Sequence, residues 1–212
     1  MTSLAFLDDA YLQQLDTVIT AVDDAWVETE ATVFYAMGGG QPGDSGSFSD
    51  AAGRRHRVLD TRKGEAGRVC HQLEAGHGLQ PGDTVTQQLD WPRRYAHMRM
   101  HTALHLLSVA VPFGVTGGQI GADKGRLDFD LGETSLDKAA LSKQLNALIA
   151  ADHAVSAGWI DAAELDANPE LIKTMAVKPP RGAGRIRMIT IGDIDYQPVS
   201  STHLTLPTIY SV

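Results

Sequence analysis

One stretch constrains this chain more than any other: from residue 92 to about residue 111 nothing breaks a helix. Pro92 suits a first helical turn, where a missing N–H costs nothing. The Met, Ala and Leu residues that follow favour helix. His101 and His105 stand four apart, so both imidazoles leave one face a turn apart. Two readings of that pair are open. It is the polar edge of a core helix, or it presents two nitrogens to one metal ion. A protease of the His-Glu-x-x-His kind is excluded, because position 102 is Thr102 and supplies no glutamate base.

Ahead of the helix the pattern is β. Residues 11–35 alternate through Leu15, Val18, Thr20 and Val22, then Trp26, Val27 and Thr29, then Val33 to Tyr35. Further strands are expected at 56–61, 68–73 and 85–89, with glycine-rich turns between them, so residues 1–89 read as a small all-β unit. Residues 38–43 formally match G-x-G-x-x-G after a strand. A dinucleotide loop must open into a helix, whereas here Pro42, Gly43, Asp44, Ser45 and Gly46 continue the turn and another strand follows, so that reading fails. Beyond the helix come a glycine-rich loop at 114–121 and a strand at 125–130. Thr134 or Ser135 is expected to cap a helix running to about 152. A weaker helical or turn segment at 164–173 and a strand at 185–191 complete the order: small β unit, then α+β.

The totals narrow the partners. At 212 residues the chain holds one large domain or two small ones. Cys70 is the single cysteine, so no intramolecular disulfide forms, which fits a reducing cytosol. The apolar runs are too short to cross a membrane, and the acidic start has no basic n-region of a secretory signal, so the expected location is cytoplasmic. A net charge of −8 argues against a general nucleic-acid coat, though not against a local basic patch. Arg93, Arg94 and Arg99 cluster before the histidines; Lys178, Arg181, Arg185 and Arg187 form a second group, for which a solvated face is the plainer reading.

Four motifs together resemble one family. Residues 33–46, centred on Gly38, Gly39, Gly40, Gln41 and Pro42, resemble the glycine-rich motif of the alanyl-tRNA editing proteins, free-standing relatives of the editing domain of alanyl-tRNA synthetase. The segment from His101 to His105 resembles their first zinc motif, and residues 125–130 and 187–198 their later strand motifs, in family order. The glycine motif is similar to that of the medium-length type. This resemblance implies an α+β protein: a small β-barrel at 1–90, then at 91–198 an α+β editing domain of the threonyl/alanyl-tRNA synthetase type. It further implies a zinc-dependent aminoacyl-tRNA deacylase that removes serine, and by extension glycine, from tRNA(Ala), without membrane or obligate protein partner. Such editing has a physical rationale: a pocket for alanine discriminates poorly against one added hydroxyl or one lost methyl, so a second hydrolytic site corrects the error.

The implied roles fall on named residues. His101 and His105 are zinc ligands. The family takes its remaining ligands from a Cys-x-x-x-His just after a Gln-Pro pair. Here His203 is in place, but Val199 stands where the cysteine would be and cannot ligate. Thr102 and Gln119 are candidates for work on the aminoacyl group, although Thr102 has the alternative of bonding back to its helix. Gly38, Gly39, Gly40 and Gln41 are expected over the substrate pocket. Arg93, Arg94 and Arg99 are expected on the tRNA backbone, neutralising phosphates. Asp193 and Asp195 are read as ordering loops, with the alternative of holding a ligand's second nitrogen. Residues 199–212 are set apart as a doubtful tail with two readings. One is a genuine variant whose zinc is held by His101, His105 and His203 with water, three histidines being a workable set. The other is a non-native end, since from Tyr196 onward no Asp, Glu, Lys or Arg occurs and 199–208 resembles translated sequencing-adapter DNA. A tRNA-binding module that has lost its zinc is the alternative to an enzyme.

Overall fold

The alternation of the first ninety residues becomes a set of strands with apolar inward positions. A computed structural model of the chain describes residues 1–168, 171, 184–199 and 201–202. A short strand β1 (Ser3–Leu4) and one helical turn α1 (Ala5–Asp8) precede β2 (Gln14–Asp23), β3 (Trp26–Thr29), β4 (Ala31–Thr32), β5 (Gly46–Asp50), β6 (Arg55–Lys63), β7 (Val69–Leu73) and β8 (Thr84–Leu89). Six of them close into a barrel in the order β2-β3-β7-β6-β5-β8, with β8 returning to pair antiparallel with β2. Closure leaves no barrel edge to recruit a foreign strand. Ile19, Val27, Phe48, Val58 and Val85 are in the core cluster inside.

The buried polar side chains of His71 and Gln87 also belong to the barrel, and both are satisfied. His71 bonds the carbonyl of Val27 through Nδ1 at 3.0 Å and the hydroxyl of Thr32 through Nε2 at 2.9 Å. Gln87 accepts from Val33 N at 3.0 Å and donates to Thr29 Oγ1 at 3.2 Å. Together they tie down the segment 29–34, where Gln87 gives the buried Val33 N–H its partner.

After β8 the chain enters α2 (Trp91–Ala110), the unbroken helix the sequence predicts. Then follow β9 (Val115–Ile120), β10 (Gly125–Phe129), α3 (Lys138–Ala150), β11 (Val155–Asp161), α4 (Ala162–Ala167), β12 (Arg185–Ile191) and β13 (Asp195–Pro198). The expected loop at 114–121 is instead strand β9, paired antiparallel with β10. Its glycines make room for the partner strand: a Cβ on Gly117 would come within 2.9 Å of Asp128 Oδ2, and one on Gly118 within 3.0 Å of Leu127 Cδ2. The cap of α3 is Asp137 rather than Thr134 or Ser135. Its carboxylate accepts from Ala139 N at 2.9 Å and Ala140 N at 3.1 Å, serving the orphan donors of the first turn.

The chain divides into two compact units, Met1–Ala96 and His97–Val212, so the division falls inside α2 and later than residue 90. In the second unit β11, β12 and β13 form an antiparallel sheet in that order. One apolar cluster joins Val155, Ile189 and Ile191 with Leu106 of α2 and Ile149 of α3; a second joins Ile160, Ile186 and Met188 with Leu165 of α4. Barrel, helices and sheet make the fold α+β. Among the described residues, no helix is long and apolar enough to cross a membrane.

Candidate functional site

Helix periodicity brings His101 and His105 together on α2, with ring centroids 5.3 Å apart and planes tilted by 46°. Both are buried, each 9% exposed. Each ring is held at Nδ1 from a distant part of the chain. Asp195, on β13, meets His105 Nδ1 with Oδ2 at 2.7 Å. A carboxylate only accepts, so Nδ1 of His105 carries a proton directed at Asp195. Ser201 Oγ lies 3.0 Å from His101 Nδ1. Burial first, and the neighbouring His105 second, hold the His101 imidazole well below its ordinary pKa, hence neutral.

These features suit a metal. A ligating imidazole must be neutral, and its second nitrogen is usually anchored by a carboxylate, hydroxyl or carbonyl that fixes the ring. Among the described residues, no group of three or more His, Cys, Asp or Glu side chains is placed to hold an ion. The pair supplies two imidazoles of the kind a metal site uses, and among the described residues it is not a complete site. The third expected ligand, His203, lies outside the described residues. Val199, where the resemblance calls for cysteine, packs against the apolar cluster around Leu106, and its N–H donates to Arg187 O at 2.9 Å.

The other expected residues are distributed as follows. Thr102 is fully buried and its hydroxyl donates to Met98 O at 3.1 Å, the back-bonding alternative. Gln119 is exposed on β9, cross-strand from Arg126. In the first unit, Gly38 and Gln41 exchange backbone hydrogen bonds of 3.1 and 3.0 Å around Gly39 and Gly40, whose φ angles of 56° and 78° only glycine adopts freely. Close backbone approach marks Gly43, where a Cβ would sit 2.0 Å from Thr61 O.

Arg94 corrects the expectation of a tRNA-facing residue. It is wholly buried, and its guanidinium pairs with Asp44 and donates to Val33 O at 2.6 Å and Ala10 O at 3.1 Å. A side chain so enclosed cannot reach a phosphate; it locks the glycine motif instead. Arg93, half-buried, donates to Gly43 O at 2.7 Å, and Arg99 is likewise half-buried. Arg187 also leaves the solvated group: it is 5% exposed and donates to Ser201 O at 2.9 Å, and burial lowers its pKa.

Asp195 is a correction of the opposite kind. The preferred loop-ordering reading gives way to the anchoring one. Residues missed in sequence are Ser201, Ser108 and Gln197, all buried near the two histidines. Alternation along β13, which puts residues 195 and 197 on one face, is the signal that points to Gln197.

Comparison with known proteins follows the same lines. Residues 4–93 match the family described as tRNA synthetases class II (A). Alanyl-tRNA editing protein AlaX-M of Methanosarcina acetivorans is 32% identical over 216 residues, covering 96% of this chain and 88% of that protein. The protein of the same name from Saccharolobus solfataricus is 28% identical, over 96% of this chain and 87% of its own length. Alanine–tRNA ligase of Thermococcus kodakarensis is 29% identical over 96% of this chain, which spans 23% of that larger enzyme.

Proposed function

The chain belongs to the family of alanyl-tRNA editing proteins, and on that premise we propose that it hydrolyses the ester of serine mischarged onto tRNA(Ala), with glycine as a second substrate. The observation that carries this reading is the pair of Nδ1-anchored histidines on one helix face, with His101 held neutral by burial. His101 and His105 would hold zinc through Nε2, with a further ligand supplied from residue 203. Bound there by three protein side chains, zinc supplies Lewis-acid polarisation of the ester carbonyl. The chain's own groups do the rest. Asp195 keeps the His105 proton on Nδ1, burial keeps His101 uncharged, and both act before substrate arrives, so no reorganisation is needed during reaction. Arg93 and Arg99 stay as candidates for the tRNA backbone; Arg94 does not.

The experiment is single-turnover deacylation of Ser-tRNA(Ala) and Ala-tRNA(Ala), with and without a chelator. Serine release that stops on chelation and returns with zinc is the expected result. Hydrolysis that a chelator leaves untouched would remove zinc from the mechanism. Val199 favours a second reading, a tRNA-binding module without catalysis, because valine offers no thiolate. Tight tRNA binding with no serine release at any zinc concentration would establish it.

A further inference from the structure

Gln197 has no assigned task, yet it completes a closed circuit around His105. It is 7% exposed and shares the sheet face of Asp195, since Ile189 and Ile191 of β12 pair with Gln197 and Asp195 respectively. Its amide nitrogen donates to Asp195 Oδ1 at 2.7 Å and lies 3.3 Å from Ser108 Oγ. Ser108 donates its own proton to His105 O at 2.8 Å, and the other Asp195 oxygen takes the His105 Nδ1 proton at 2.7 Å. Chemistry sets the direction of the amide. A carboxylate oxygen and a hydroxyl that already donates both require a donor, so the nitrogen and not the oxygen faces them.

We propose that Gln197 is a positioning residue for His105, holding the Asp195 carboxylate and the Ser108 hydroxyl in one circuit of hydrogen bonds. The imidazole thereby keeps its proton on Nδ1 and its lone pair on Nε2. Asp195 is 4% exposed, so water is a poor substitute for a lost donor. The amide on Oδ1 and the imidazole on Oδ2 resist rotation of the carboxylate; without the amide that resistance weakens, and the ring can take the other tautomer. Ser108 closes the circuit on the same histidine's backbone, so side chain and helix turn are braced from one amide. The geometry stands alone, while its consequence for catalysis rests on the zinc reading proposed above.

The test uses the intact chain. Gln197→Leu removes both donors at similar volume, Gln197→Asn retains an amide too short to reach both partners, and Ser108→Ala removes one strut. In the metal-free protein, nitrogen-15 NMR of the His105 ring is expected to report the Nδ1–H tautomer in wild type and a mixture with Nε2–H in Gln197→Leu and Gln197→Asn. Zinc affinity, measured by competition with a chromophoric chelator, is expected to fall about 10–100-fold in both, as for other groups that orient a metal-bound histidine. Ser108→Ala is expected to lose less. Thermal unfolding confirms that each variant is folded, and if Gln197→Leu is not, Gln197→Asn decides. A folded Gln197 variant with unchanged ring signals and unchanged zinc affinity overturns the proposal, as does a wild-type ring protonated on Nε2. A wild-type chain that takes up no zinc would defeat the proposed function instead, and the tautomer measurement would still decide the role of Gln197.

Discussion

Lowering the pH from 7 to 5 is expected to destabilise the protein by about 2 kcal/mol through one side chain, His71. The imidazole is fully buried inside the barrel, its ring centroid 5.4 Å from that of Phe34 and 5.1 Å from that of Phe48. Burial pushes its pKa from 6.5 down to about 4, against the opposing pull of its bond to the Val27 carbonyl. The folded value lies below the unfolded one. As pH falls through 6.5, unfolded chains take up a proton that folded chains refuse until about pH 4. Stability from this group is therefore complete above 6.5 and is lost between 6.5 and about 4. At about 1.4 kcal/mol per pH unit, the whole loss is about 3 kcal/mol, and about 2 of it falls between pH 7 and 5. Urea unfolding of wild type and His71→Gln at pH 7, 6 and 5 isolates the effect, because every other titrating group, His101 included, is common to both. The variant starts less stable but should lose about 2 kcal/mol less over the interval. Parallel losses in the two proteins, or an NMR titration of His71 with a midpoint near 6.5, would refute the reasoning.

Two further outcomes concern the glycine motif. Gly43→Ala forces a Cβ to 2.0 Å from the Thr61 carbonyl, a backbone atom that cannot step aside, and should cost about 3 kcal/mol or more. Gly39→Ala has nothing within 4 Å and strains only its φ of +56°, so about 1–2 kcal/mol is expected; equal urea midpoints for the two variants would contradict this. Arg94→Met leaves Asp44 buried without its cation and should cost about 3–5 kcal/mol. The double variant Arg94→Met with Asp44→Asn should recover part of that, and strict additivity would show that the two side chains do not act as a pair.

Much of the architecture is legible in short-range pattern. Alternation marks β6, β7 and β8, and the absence of breakers marks α2, because periodicity and turn chemistry are properties of neighbouring residues. The spacing of His101 and His105 likewise puts two imidazoles on one helix face without reference to anything else in the chain. Local pattern fails where the meaning of a residue depends on its partner. Gly117 and Gly118 look like a loop until β10 lies beside them and its side chains claim the missing Cβ space. Arg94 shares a basic cluster with Arg93 and Arg99, and charge is visible in sequence whereas enclosure is not; only the folded first unit shows Asp44, Val33 and Ala10 around it. The same limit governs the site. His105 finds its anchor 90 residues away in Asp195, and His101 finds Ser201 100 residues away. Those pairings are selected by the packing of α2 on the sheet and by strand register, which sets what faces the helix. The chain alone thus determines that two histidines can act together, and the tertiary structure decides what anchors each ring and puts a proton on Nδ1 of His105, because those partners come from across the fold.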